Sequence, residues 1–190
     1  MIARTVTCAA LLLGACTSTL PQPSTLQDPF WASLQALCGK AFRGQVVEGT
    51  APSDDAFRSV ELVMHVRECA PDEIRIPFHA GTNRSRTWVL TRNPEGLRLK
   101  HDHRHEDGKP DAVTQYGGDT RDRGTASRQS FPADAYTAEL IPAAATNTWT
   151  LEIAPGATFA YGLRRADRRF RVEFDLTKPV APPPPPWGAN

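Results

Sequence analysis

The stretch that decides the fold runs from residue 149 to residue 176 and reads WTLEIAPGATFAYGLRRADRRFRVEFDL. Apolar and polar residues alternate through it, and the alternation restarts after the turns at Pro155-Gly156 and at 165–168. A two-residue period places successive side chains on opposite faces of a β-strand. The stretch therefore predicts three antiparallel strands joined by short turns, each with one apolar and one polar face.

The same period extends through most of the chain. It occurs at 58–67, 73–79 and 85–92, and another strand begins at Leu97. Short connections favour pairing between sequence neighbours, and closure of the sheet removes its exposed edges. We predict an all-β domain at 29–178, an antiparallel up-and-down meander of eight or nine strands that closes into a barrel. A two-sheet β-sandwich fits the same periodicity.

Two segments depart from this period. Asp28-Pro29 has the pattern of a helix start, and apolar residues from Phe30 to Leu37 recur at helical spacing, so a short amphipathic helix is predicted at 29–38. Residues 106–127 are rich in turn formers and charges and are predicted to form a long loop with one short strand at 112–116.

The N-terminus carries the sequence Leu13-Gly14-Ala15-Cys16 behind an apolar run, with Arg4 near the start. This pattern resembles the lipobox of bacterial lipoproteins, in which the signal peptide is cleaved before a cysteine that then carries acyl chains. The resemblance implies a signal peptide at 1–15, lipid on Cys16 and a flexible tether at 16–28.

The same resemblance implies a location in the bacterial cell envelope, with the domain held to a membrane by the lipid anchor. Thr17 stands where many lipoproteins retained at the inner membrane have aspartate, which favours the outer membrane and a domain facing the periplasm. Cys8 would leave with the signal peptide, so Cys38 and Cys69 remain as a pair in an exported chain. We predict a Cys38–Cys69 disulfide.

The start and the end of the meander carry a second resemblance. The pattern LxxLxGxxFxG at 34–44 follows the predicted helix, and an arginine-rich aromatic hairpin at 161–176 closes the strand series. This layout resembles the calycin group of lipocalin-like barrels, several of which are bacterial lipoproteins. Gly39-Lys40-Ala41 lacks the tryptophan of the lipocalin Gly-x-Trp motif. The resemblance implies a small apolar ligand in the barrel mouth, and in a few members haem.

Alternation selects four side chains as candidates to line such a ligand pocket, because they fall on the apolar face of their strands. The candidates are Trp88, His101, Trp149 and Tyr161. A ligand would need an empty space between Trp88, His101 and Trp149.

The segment His101-Asp102-His103-Arg104-His105 suggests a different function. Its three histidines share the face of Leu97 and Leu99, and neutral imidazoles bind Zn or another transition metal. Same-face residues lie nearly 7 Å apart, from a rise of about 3.3 Å per residue, so two neighbouring imidazoles can share one ion. Histidines held by hydrogen bonds or exposed to solvent fit the pattern as well.

The remaining features exclude some function classes. The formal net charge is +1 and no basic stripe is present, which argues against nucleic-acid binding. No catalytic motif is found, so the protein is not predicted to be an enzyme, and no cofactor other than the alternative metal is implied. Arginines at 164–171 would suit lipid headgroups, but Asp167, Glu173 and Asp175 balance them, which favours a solvated hairpin.

Three functions follow from these patterns. The first is an envelope lipoprotein that binds a small or apolar ligand in its barrel, and the second is a metal-binding protein that uses His101, His103 and His105. The third is a structural or interaction lipoprotein without a ligand, whose Pro-rich tail at 179–190 is disordered and contacts other envelope components.

Overall fold

The structure, a computed structural model, describes residues 27–189, and about half of its residues lie in strands. The strands are β1 (Ala41–Gly49), β2 (Leu62–His65), β3 (Glu68–Cys69), β4 (Glu73–Ala80), β5 (Asn83–Asn93), β6 (Gly96–His103), β7 (Tyr116–Asp119), β8 (Arg128–Pro132), β9 (Thr148–Ala154), β10 (Thr158–Arg165) and β11 (Arg168–Val180). The helices are α1 (Gln27–Gln35), α2 (Asp55–Arg58) and α3 (Ala135–Leu140), with 3₁₀ turns at Pro52–Asp54 and Pro142–Ala144.

The strands form one antiparallel sheet in the order β7-β6-β5-β4-β2-β1-β11-β10-β9-β8, with β3 paired to β4 beside this path. The two ends of the order, β7 and β8, lie against each other, so the sheet curls into a nearly closed barrel. The predicted all-β meander is confirmed, with ten strands in the path instead of eight or nine, and a single sheet excludes the two-sheet alternative. The architecture is compatible with a calycin-like fold.

Gly118 allows β7 and β8 to approach, whereas the adjacent Gly117 lies against Leu99 of β6. A Cβ atom on Gly118 would overlap the carbonyl oxygen of Pro132, so only glycine fits at the contact. The amide of Asp134 donates to the Gly117 carbonyl at 3.0 Å, and the Thr137 hydroxyl donates to the same carbonyl at 2.8 Å. The short strand predicted at 112–116 is misplaced, because the strand that closes the barrel here is β7, at Tyr116–Asp119.

Helix α1 covers one end of the barrel against β8 and β9. It spans Gln27–Gln35, whereas the sequence predicted 29–38; a turn replaces its last residues. Phe30, Trp31 and Leu34 are fully buried and supply the apolar side that the helical spacing predicted. The helix therefore seals this end with side chains that form part of the core.

The predicted disulfide between Cys38 and Cys69 is present, with a Cα–Cα distance of 6.2 Å. Cys38 lies in the turn after α1, and Cys69 lies in β3, which pairs with β4. The bond therefore fastens the end of α1 to the sheet.

The C-terminal segment departs from the predicted disordered tail at 179–190. Strand β11 continues to Val180, which pairs with Ala41, and the chain then contacts β5. The amide of Trp187 donates to the carbonyl of Arg84 at 3.1 Å, and the Arg84 guanidinium donates to the carbonyl of Pro185 at 2.9 Å. Prolines have no amide hydrogen, but their carbonyls accept hydrogen bonds, and this holds the segment on the barrel.

Several predictions fall outside the described residues. The signal peptide at 1–15, the lipid site at Cys16 and the tether up to residue 26 lie there, as does Asn190. Among residues 27–189, none of the helices has the length and apolar character needed to cross a membrane.

Candidate functional site

The barrel interior differs between its two ends. The end closed by α1 is apolar, whereas the opposite end, covered by the short segment around α2, contains charged and polar side chains among aromatic rings. We call this set the mouth cluster. Its members are Asp54, Arg86, His101, His103, Tyr116, Tyr161 and Arg168.

His101 and Tyr161 form the deepest part of the mouth cluster. His101 is 3% exposed; its Nδ1 donates to the carbonyl of Tyr116 at 3.0 Å, and its Nε2 accepts from the Tyr161 hydroxyl at 2.9 Å. The carbonyl can only accept, which assigns the proton to Nδ1. The Tyr161 oxygen in turn accepts a hydrogen bond from Trp149. Both ring nitrogens of His101 are therefore in use, and neither is left for a metal.

Burial keeps this chain of groups neutral. Loss of water around the charged imidazole lowers the pKa of His101 to about 3, and burial raises the pKa of Tyr161 well above its ordinary value. At neutral pH the imidazole and the phenol therefore remain uncharged. Their hydrogen bonds satisfy polar atoms inside the core.

The four predicted pocket residues do come together, and the space between them is filled. Tyr161 stacks on Trp88 with ring centroids 4.5 Å apart, and the ring centroids of His101 and Trp149 are 5.1 Å apart. Trp149 is only 1% exposed. Alternation thus identified the inward-facing residues correctly, while the middle of the barrel is packed with their rings.

His103 and Arg86 lie closer to the open end. They face each other across β5 and β6, and His103 Nε2 lies 3.2 Å from the Tyr116 hydroxyl. Burial, with a contribution from the positive charge of Arg86, lowers the pKa of His103 to about 4. The imidazole is therefore neutral at pH 7 and stands beside a permanent cation.

The two arginines of the mouth cluster differ in their partners. Arg168 forms an ion pair with the buried Asp54 at 2.6 Å. Among residues 27–189, Arg86 has no carboxylate within ion-pair distance; it donates to Asn83 Oδ1 at 3.1 Å, and its guanidinium carbon lies 5.2 Å from the centre of the Phe57 ring. Burial lowers the pKa of Arg86. A half-buried cation without a counter-charge is therefore the distinctive feature of this end.

The predicted three-histidine metal site is not formed. Strand β6 ends at His103, and His105 is exposed in the following turn, 4.0 Å from Asp111. His101 and His103 face inward, but both ring nitrogens of His101 are hydrogen-bonded and His103 Nε2 contacts the Tyr116 hydroxyl. Across the described part of the chain, no three His, Cys, Asp or Glu side chains are placed to hold a metal ion.

Sequence reasoning missed three participants of this site. Asp54 and Phe57 lie in two short helical turns between β1 and β2, which are too short to show a period in the sequence. Arg86 lies two residues before Trp88 in β5 and therefore on the same inward face. Alternation alone could have identified it as a buried charge. Asp102, between the two inward histidines, faces outward and binds Arg75 and Arg104, each at 2.9 Å.

Comparison with models of known protein families, with curated proteins and with solved structures gave no match to this chain.

Proposed function

We propose that this chain is a lipid-anchored protein of the bacterial cell envelope whose barrel binds a small ligand that carries both an anionic and an apolar group. The envelope location is supported by the lipobox pattern at 13–16, with Cys16 as the lipidated residue, and by the Cys38–Cys69 disulfide, which suits an oxidising compartment. The ligand site is the mouth cluster, at the end of the barrel opposite α1.

The main observation behind this proposal is that the half-buried Arg86 has no carboxylate partner among residues 27–189. Burying a charge without a partner is costly, and proteins normally supply a carboxylate or a ligand to offset it. Arg168 has Asp54 for this purpose, but Arg86 has only an amide oxygen and an aromatic face. A carboxylate or a similar anion from a ligand would complete the pairing, and guanidinium binds such groups through two parallel hydrogen bonds.

Phe57 marks the place of the apolar group. It is half-buried, and its ring packs against Phe78 at 5.9 Å and Phe170 at 5.4 Å, directly beside Arg86. It belongs to α2, a single turn of helix whose Arg58 donates hydrogen bonds to β1. Because the middle of the barrel is filled, the ligand sits at this end, where its ring or alkyl chain takes the position of Phe57.

Benzoate and benzamide provide a matched test, because they have the same shape and differ in charge. We expect benzoate to shift the indole NMR signal of Trp88 in a saturable way and benzamide to bind at least about tenfold more weakly, a difference near 1.4 kcal/mol. Arg86→Gln should remove the preference for benzoate. Phe57→Ala should strengthen benzoate binding, because the ring no longer occupies the site.

Arg98→Gln is the control, since it removes one positive charge from an exposed arginine paired with Asp119. It should leave the preference for benzoate unchanged. Equal binding of benzoate and benzamide, or an Arg86→Gln variant that still prefers benzoate, would refute the proposal.

A second candidate function is that of a structural lipoprotein without a ligand. The filled interior between Trp88 and Trp149 favours this function, because a closely packed core has no empty space for a ligand. Absence of benzoate binding in both the wild type and Phe57→Ala would support this alternative.

A further inference from the structure

The outer face of β8–β11 carries a groove of about 690 Å³ that is separate from the mouth cluster. Most of its lining side chains are the outward-facing ones of these strands, and β1 contributes Glu48 at one side. We call it the arginine groove after its five arginines, which are Arg128, Arg164, Arg165, Arg169 and Arg171.

A glycine forms the floor of the arginine groove. Gly162 stands between Thr150 on one neighbouring strand and Arg171 on the other. A Cβ atom at this position would lie 2.5 Å from the Thr150 hydroxyl oxygen, so a side chain would collide with the groove wall. The hydroxyls of Ser130, Thr148 and Thr150 line that wall. The depression is therefore rich in hydrogen-bond donors.

In the described part of the chain, the charges of the arginine groove are paired at every arginine except one. Four carboxylates lie within ion-pair distance of its arginines, and they are Glu48, Glu152, Asp167 and Glu173. Glu152 is already shared between Arg171 at 2.9 Å and Arg128 at 3.2 Å. Among residues 27–189, Arg164 is therefore the one arginine of the groove without a carboxylate within ion-pair distance.

The strongest sign of a ligand is a pair of like charges. Arg164 and Arg169 are direct cross-strand partners, an arrangement that repels and destabilises a sheet. Within residues 27–189, Arg164 has no hydrogen-bonding or ion-pair partner for its side chain. Arg169 is half exposed and lies 4.0 Å from Glu48. An anion between the two guanidiniums would relieve this repulsion.

We propose that the arginine groove binds phosphate groups. A phosphate offers several acceptor oxygens, which match the forked donors of Arg164 and Arg169 and the hydroxyls of Thr148 and Thr150. The phosphate is carried by a lipid headgroup or by a soluble phosphorylated molecule. This site does not depend on the mouth cluster, because Arg164 and Arg169 face outward, whereas Arg168 faces the interior.

The test titrates the full chain in neutral maltoside micelles, with NMR observation of the arginine Nε–H signals. One arm adds inorganic pyrophosphate, and the other adds phosphatidylglycerol to the micelles at constant ionic strength. We expect saturable shifts of Arg164 and Arg169, and at least about tenfold weaker binding in the double variant Arg164→Gln/Arg169→Gln. Removing the repulsion should leave this variant at least as stable as the wild type, which separates lost binding from lost folding.

The double variant Arg121→Gln/Arg123→Gln is the matched control, because both arginines are exposed and lie outside the groove. It should bind within about twofold of the wild type, since surface charges outside the contact act only through a screened field. Saturation by pyrophosphate identifies a soluble phosphate ligand, and a response to phosphatidylglycerol alone identifies a lipid headgroup. No response in either arm, or equal weakening in both double variants, would overturn the proposal.

Discussion

The fold should lose stability as the pH falls from 7.5 to 5.0, because His101 gains a proton in the unfolded chain but not in the folded protein. The pKa of this imidazole is about 3 in the folded protein, because burial disfavours its charged form, and 6.5 is the value for an exposed histidine. Below pH 6.5 the unfolded chain therefore binds a proton that the folded protein excludes. The stability associated with the neutral imidazole is fully present above pH 6.5 and is lost as the pH falls toward 3.

The size of the effect follows from these two pKa values. At pH 5.0 nearly all unfolded chains carry the proton and almost no folded ones do, so the free energy of unfolding falls by about 2 kcal/mol relative to pH 7.5. His79 and His103, whose pKa values are also lowered to about 4, act in the same direction. A comparison of variants is needed to isolate the contribution of His101.

Urea unfolding, followed by tryptophan fluorescence at pH 7.5 and 5.0, measures this quantity for the wild type and for His101→Gln. The variant is expected to be less stable at pH 7.5, because its amide cannot reproduce both imidazole hydrogen bonds. Its loss of stability on acidification should be about 2 kcal/mol smaller than that of the wild type. Equal losses in the two proteins would show that His101 does not titrate as a buried neutral imidazole.

Three further changes should alter stability in measurable ways. Tyr161→Phe should lower the free energy of unfolding by about 1–3 kcal/mol in the same urea assay, because it leaves a buried imidazole nitrogen without a partner. Replacing Cys38 and Cys69 by serine should cost roughly 3–4 kcal/mol, since the disulfide joins residues 31 positions apart; an unchanged unfolding midpoint would contradict this. Gly118→Ala should cost about 1–3 kcal/mol by overlap with Pro132, and calorimetry showing an unchanged melting temperature would argue against the tight contact at the barrel closure.

The sequence was sufficient for most strands of the sheet, because a two-residue period shows which side chains face the core. The hairpins of residues 149–176 predicted β9, β10 and β11 with their short turns. Helix α1 was predicted as an element but with shifted ends, since residues near a helix terminus have weak preferences. The position of β7 was missed because its Tyr-Gly-Gly-Asp sequence reads as a turn. Only packing in the folded barrel makes the glycines necessary, since Gly117 lies against β6 and Gly118 lies against β8.

The candidate site was only partly predictable, for a physical reason. Alternation gives the direction of a side chain but not the distance to the opposite wall, so it placed Trp88, His101 and Tyr161 inside without showing that they fill the space. Single helical turns between strands are too short to show a period, so their contacts could not be predicted in this way. Asp54 and Phe57 reach the mouth cluster from such turns, and their partners are more than twenty residues away in the sequence.

The last hairpin of the barrel contributes an arginine to each of the two proposed sites, because consecutive side chains of a strand alternate between its two faces. Arg168 and Arg169 are neighbours in β11, yet one pairs with the buried Asp54 inside the mouth and the other lies in the arginine groove outside. Because the pleat directs consecutive residues to opposite faces, a single-residue shift in the pairing of β10 with β11 would exchange these two roles. The apolar residues at 170, 172 and 174 oppose that shift, since each would leave the core. The packing that stabilises the barrel therefore also fixes which arginine serves each site.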